Sequence, residues 1–257
     1  NAENNIEREV LRISWEGTGY GTYGNIWGGE FLKINEDKFE RFAHFDYFPL
    51  PGGEKAIKEV WRIGASLLYA ATKDKKLVKT YYKDFDTDVI LNLIDKKINS
   101  PLCSSVGRLF DGIASLINLK QNTSFEGQAA MDLENILSGT LTDDRYKFEI
   151  IKAGENNYIV DWRKVVLDII NDFTKNISKQ NISAKFHSAL TDIIIEISKI
   201  SGIKQIALSG GCFQNKNLIE KTIDRLSEEG FKVYWQSEIP TNDGGISLGQ
   251  MKYFSYL

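Results

Sequence analysis

The run Gln205-Ile206-Ala207-Leu208-Ser209-Gly210-Gly211-Cys212-Phe213-Gln214-Asn215 leads from a short apolar strand through paired glycines toward an amphipathic stretch. Its pattern predicts a strand at 205–208, a glycine turn, a helix from about 213 to 229 and a second strand at 232–235. Asn242-Asp243-Gly244-Gly245 and a last helix then complete a C-terminal βαβα unit. Amides at a helix N-terminus, backed by the helix dipole, favour an anion, and Asn215 lies one turn in, where it can hydrogen-bond a purine or ribose. No Gly-Lys-Ser/Thr follows, so this is not a Walker loop. A tight strand-to-helix connection that needs small residues is the plain alternative for Gly210 and Gly211.

Working outward, the first fifty residues read as β structure. Alternating segments at 10–15, 26–34 and 38–45 are separated by turn residues, which predicts a three-stranded antiparallel meander. Glu16-Gly17-Thr18-Gly19-Tyr20-Gly21 lies between the first two, so it reads either as a phosphate cradle or as a glycine-rich hairpin needing positive φ. The middle is helical, with segments expected at 54–72, 86–97, 105–118 and 126–138. A small hairpin at 146–151 and 158–160 separates these from two longer helices at 162–178 and 183–200. Asp243 either caps the final helix or offers a hard oxygen ligand to a metal.

The chain has 257 residues, 42% hydrophobic and 26% charged, with a formal net charge of −3. That composition suits a globular domain and is too apolar for disorder. Lys and Arg are scattered among Asp and Glu, which argues against a dedicated nucleic-acid or membrane surface. Two cysteines without CxxC spacing, Cys103 and Cys212, fit a reducing cytoplasm. The start Asn1-Ala2-Glu3-Asn4-Asn5 resembles no signal or transit peptide, and the abrupt entry into a strand is read as the start of a fragment. His44 and His187, the only histidines, stand alone and are expected to be structural or exposed. Cys212 is expected to pack rather than react, and the five tryptophans are expected in the core or at a lobe interface.

A meander with a phosphate-type turn, a helical middle and a β–Gly–Gly–α turn follow the order of elements in one lobe of the actin/sugar-kinase/Hsp70 superfamily, an α/β fold. Six blocks make the resemblance more specific. These are Glu16–Gly21 running into Ile26-Trp27-Gly28-Gly29-Glu30-Phe31, then Phe48–Ala56 with Trp61-Arg62, and Ser104-Ser105-Val106-Gly107-Arg108-Leu109-Phe110-Asp111. Phe125-Glu126-Gly127-Gln128-Ala129-Ala130-Met131, Ser209–Asn215 and Asn242–Gln250 complete the series. In this order they resemble the HypF family of carbamoyltransferases. The related TsaD family shares the lobe design, but Phe48–Gly53 and Glu126–Ala130 favour HypF.

The resemblance implies a TsaD-like second lobe over residues 1–257, with the first lobe absent from this chain. It implies transfer of a carbamoyl group from carbamoyl-adenylate to the C-terminal cysteine of HypE, a step toward the cyanide ligand of the nickel-iron hydrogenase. The implied ligands are ATP or AMP and a divalent metal, whether iron, zinc or magnesium. The implied partners are HypE and the upstream adenylate-forming and metal-binding parts of HypF. Carried over residue by residue, Gly17, Thr18 and Gly19 would face phosphate, and Gly107 with Asp111 would meet the ribose. Gly210, Gly211 and Asn215 would hold the nucleoside, and Asp243 would be the catalytic metal ligand with Glu16 beside it. Glu16 stands where the family has Asp, and the family's paired histidines have no counterpart here. A non-catalytic nucleotide-binding or scaffold module and a small-molecule O-carbamoyltransferase are the alternative readings.

Overall fold

A computed structural model describes residues 9–21, 24–35, 38–137, 142, 144–238, 240–245, 247, 250 and 251. The expected meander is present: β1 (Val10–Tyr20), β2 (Ile26–Asn35) and β3 (Lys38–Phe45) pair antiparallel. Alternation drives it, because Leu11, Ile13 and Trp15 are buried while Arg12 and Ser14 between them are less so. β1 runs further than expected. Its pairing shifts between Trp15 and Gly19, and this irregularity lets the glycine-rich stretch continue as strand to Tyr20. Glu16–Tyr20 is therefore not a turn.

Among the described residues nine strands form one sheet in the order β6-β7-β3-β2-β1-β8-β9, with β4 and β5 off that path. β4 (Phe48–Pro49) and β5 (Leu102–Cys103) pair with each other, and β5 also meets β2. β6 (Glu149–Gly154) and β7 (Asn157–Asp161) form the expected hairpin, but it joins the main sheet, with β7 parallel to β3. β8 (Gln205–Ser209) lies parallel to β1 and to β9 (Lys232–Tyr234), which places the C-terminal unit and the N-terminal meander in one layer.

The segment expected as one helix over 54–72 is broken into α1 (Glu54–Lys58) and α2 (Trp61–Thr72). The backbone at the break bonds elsewhere: Trp61 N donates to Gln121 O and Thr123 N to Lys58 O. α3 (Lys75–Tyr81) and α4 (Thr87–Asp95) follow, then α5 (Val106–Leu116) and α6 (Gln128–Asn135). α7 (Arg163–Thr174) and α8 (Lys179–Ser201) are the two longer helices. A 3-10 turn at Gly211–Gln214 precedes α9 (Lys216–Glu228), so the helix begins later than 213. The final helix beyond Gly245 lies mostly outside the described residues, as does Gly139. α5 packs on β1, with α2 beyond it, while α8 packs on β1 and α9. Trp15 ties these parts together, stacking on Phe213 at 5.6 Å and meeting Phe31 and Phe45 edge-on.

Glu30, on β2 and buried, pins the centre. Its carboxylate accepts from Gly28 N at 2.5 Å, Gly29 N at 2.8 Å, Arg41 Nη2 at 2.7 Å and Ser104 Oγ at 2.6 Å. Removing it leaves several buried donors and a cation without their acceptor. Glu30→Ala is expected to cost about 3–5 kcal/mol of folding stability, and Glu30→Gln distinctly less. Urea unfolding checks this, and an unchanged midpoint in the alanine variant contradicts it.

Candidate functional site

The N-terminus of α5, the outer part of β1, the 125–127 turn before α6 and the 3-10 turn after β8 surround a cleft of about 800 Å³. Its size suits a small-molecule ligand. Of the residues singled out in the sequence, Glu16, Gly17, Thr18, Gly107, Gly211 and Asn215 line it, together with Asn242 and Gly244 from the third glycine turn. Segments nearly two hundred residues apart thus meet on one wall.

Gly19, Asp111 and Gly210 are not among the lining residues. Gly19 faces the backbone of Trp27 across the hairpin. Gly210, at φ +103°, packs against the Trp15 carbonyl and donates its N–H to Thr241 O at 3.0 Å, so its missing side chain serves the strand-to-helix turn. Gly107 does border the cleft, but a Cβ there would lie 2.8 Å from Gly17 Cα and 3.0 Å from Glu16 O. The close neighbour that requires glycine is β1 itself. Gly211 differs: a Cβ added there meets nothing within 4 Å.

Asp111 is buried one turn into α5, and its carboxylate lies 3.2 Å from Arg108 Nε. Burial pushes its carboxyl up to about 6, against the opposing pull of Arg108. Arg108 lines the cleft and was missed among the candidate residues. Its side chain is 2% exposed, Nη2 reaches Glu126 Oε1 at 3.2 Å, and Nε and Nη1 make no aligned hydrogen bond among the described residues. Buried native donors seldom stay unmatched. The signal was a charged residue inside the apolar run Val106, Leu109, Phe110, Ile113.

Asn215 caps α9, its Oδ1 accepting from Leu218 N at 2.9 Å, and its Nδ2 lies 2.9 Å from His187 Nε2. His187 is buried, as a structural histidine is, yet it touches a cleft residue. Burial lowers its pKa to about 4, so it is neutral at physiological pH. His44 is also buried, bonds Phe45 O through Nδ1 at 2.8 Å and does not line the cleft. Cys212 lines the cleft, but burial raises its thiol to about 12, which leaves it protonated and a poor nucleophile. Trp15, Trp61 and Trp162 are core residues as expected, while Trp235 is 39% exposed.

The side chain of Asp243 lies outside the described residues, whereas its backbone opens a short 3-10 turn. Among the described residues no group of three His, Cys, Asp or Glu side chains converges to hold a metal ion. No described helix is long and apolar enough to cross a membrane.

Residues 12–250 match the family model described as carbamoyltransferase, Kae1-like domain, second subdomain. A carbamoyltransferase HypF of Synechocystis sp. is 41% identical over 96% of this chain and 34% of its own length. A probable carbamoyltransferase HypF of Methanocaldococcus jannaschii is 30% identical over 96% and 33%. A tRNA N6-adenosine threonylcarbamoyltransferase of Ehrlichia canis is 25% identical over only 60% of this chain. Among solved structures, full-length HypF in a phosphate- and nucleotide-bound form superposes with TM-score 0.88 and 42% identity, over 96% of this chain and 33% of that one. HypF of T. kodakarensis superposes with TM-score 0.80 and 31% identity, over 98% and 34%. The chain spans about a third of the length of these HypF relatives. With its mixed sheet, its helices and a match along nearly its whole length, the chain belongs to the Kae1-like carbamoyltransferase domain family, as the second subdomain.

Proposed function

We propose that this chain supplies the adenylate-binding lobe for carbamoyl transfer from carbamoyl-AMP to the C-terminal cysteine thiol of HypE in nickel-iron hydrogenase maturation. One observation carries the reading: residues of all three glycine-rich segments share a cleft with the N-terminus of α5 and the partly unmatched Arg108 guanidinium. That is donor chemistry suited to a phosphate ester. The nucleotide-bound HypF structure, superposing with TM-score 0.88, gives independent support for a nucleotide in this family.

In the proposed reaction the acceptor thiolate attacks the carbonyl carbon of the mixed anhydride, and a C–S bond forms. The C–O bond to phosphate breaks, and AMP departs with that electron pair. The chain's share is electrostatic and positional. Backbone amides at Gly17 and Thr18 and the Arg108 cation meet negative charge on the leaving phosphate, Gly107 leaves room for the ribose, and Gly211 and Asn215 hold the nucleoside. The acceptor, the upstream adenylate-forming and metal-binding parts, and the metal site at Glu16 and Asp243 belong to the same proposal.

The test is labelling of a HypE C-terminal peptide from radioactive carbamoyl-AMP by the full-length protein bearing this chain. Labelling supports transfer to HypE. AMP binding without labelling favours a nucleotide-binding scaffold, and carbamoylation of a small hydroxylated acceptor favours an O-carbamoyltransferase.

Two variants probe the nucleotide contacts. Gly211→Ala has open space around the new methyl, so its melting temperature is expected to stay unchanged while AMP binding weakens by about tenfold. Unchanged calorimetric affinity rejects Gly211 as a nucleoside contact. Asp111→Ala is expected to weaken AMP binding by more than about tenfold, through loss of the carboxylate that holds Arg108 beside the cleft. An unaltered titration curve removes Asp111 from the binding machinery.

A further inference from the structure

The contact between His187 and Asn215 has a determined proton arrangement. At one end Leu218 N–H can only donate, so the Asn215 atom 2.9 Å from it is the oxygen, Oδ1. The amide nitrogen Nδ2 therefore faces His187 Nε2, at 2.9 Å, and that ring nitrogen must be the unprotonated acceptor. At the other end Ser183 O can only accept, and His187 Nδ1 lies 2.8 Å from it. The chain of bonds runs in one direction, from Leu218 N–H through Asn215 and His187 to the Ser183 carbonyl, with a backbone group of fixed polarity at each end.

Packing holds the ring in place. Phe110 and Phe186 meet it edge-on, at 5.2 and 6.3 Å between centroids. Ser183 is itself tied to α6, its Oγ donating to Leu133 O at 2.7 Å. Burial keeps the imidazole neutral, and Lys221 disfavours its protonation further. One Nδ2 hydrogen of Asn215 is committed to His187. The other is the hydrogen-bonding group that Asn215 has left to offer to the cleft it lines, apart from a second lone pair on the capped Oδ1.

We propose that His187 is a positioning residue which fixes the Asn215 amide as a hydrogen-bond donor toward the bound nucleoside. The ligand atom that Asn215 meets is then an acceptor, such as a ribose oxygen or an unprotonated ring nitrogen of the base. The inference rests on the nucleoside reading of the cleft. It adds a residue outside the cleft wall and a required polarity. Glutamine at 187 preserves that polarity, because its Oε1 accepts from Asn215 and its amide donates to Ser183. Leucine preserves bulk but neither bond.

AMP titration of the full chain and of His187→Gln and His187→Leu, with melting temperatures measured alongside, tests the role. The expected result is an affinity loss of about tenfold or more in the leucine variant, with the glutamine variant within about threefold of the unaltered chain. Equal AMP affinity in the leucine variant overturns the proposal, as does equal loss in both variants. Nitrogen-15 NMR of the histidine ring in the unaltered chain tests it without substitution, and an Nε2-protonated tautomer or an imidazolium at pH 7 overturns it even where the variants fold poorly. Failure of the unaltered chain to bind AMP overturns the nucleoside reading and the positioning role with it, whereas the NMR result still judges the bonded relay by itself.

Discussion

Helix α5 enters the sheet at backbone-to-backbone distance, and most of the remaining arrangement follows from that approach. Only a hydrogen at Gly107 allows it, since a Cβ there would press on Gly17 Cα and on the Glu16 carbonyl. Ser105 secures the contact: its Oγ accepts from Arg108 N as the helix cap and lies 2.5 Å from Glu16 O and 2.8 Å from Gly17 O. One residue earlier, Ser104 donates to Glu30, which in turn holds the Gly28 and Gly29 amides. The positive end of the α5 dipole is thereby set against Glu16–Thr18, and Arg108 is carried beneath the same strand. The cleft and the core share one set of contacts. The cleft wall where α5 meets β1 is thus held by core contacts, which suits preorganised binding.

Where structure is decided by local periodicity, the sequence was readable. Leu11, Ile13 and Trp15 alternate because one face of β1 is buried, while β8 was legible as a short apolar run, Ile206-Ala207-Leu208, that is buried throughout. Helix α5 begins where expected, capped by Ser105, whereas α8 starts at Lys179, a turn ahead of the expected 183, because Ser178, read as part of the preceding helix, is its cap. The glycine-rich stretch after Trp15 was ambiguous for a physical reason. Glycine serves equally in a turn, in a bulged strand and against a ligand, and here Gly19 continues the strand while Gly17 borders the cleft.

Non-local hydrogen bonding was not readable. The break between α1 and α2 depends on backbone partners at Gln121 and Thr123, some sixty residues away, and no periodicity encodes them. The two-residue strands β4 and β5 are too short for an alternating pattern, and the parallel docking of β7 on β3 is a tertiary choice. Arg108 and His187 escaped for a related reason. Each is a polar group whose meaning lies in what surrounds it: the guanidinium in its unmatched buried nitrogens, the imidazole in the fixed polarity of its two neighbours. Of the glycines assigned to the ligand, Gly210 answers to its positive φ, Gly107 to the approach of β1, Gly19 to the Trp27 backbone and Gly17 to the Arg108 and Glu126 side-chain ends, which leaves Gly211 as the position where open space is the simplest reason for a small residue to matter.

Charge around the cleft adds a constraint that geometry alone does not. Its described lining carries three carboxylates, Glu16, Glu126 and Glu134, against one cation, Arg108. Glu134 is partly absorbed, accepting from Lys216 N at the start of α9, and Glu126 is shared with Arg108. An adenylate phosphate placed here meets amide dipoles and one guanidinium but no surplus of positive charge. On the proposed reading, tighter binding than these donors give needs additional positive potential from whatever faces the cleft on its open side. A second lobe carrying a cation would meet that need, and it would also explain why Glu16 can sit at the rim of a site meant for an anion.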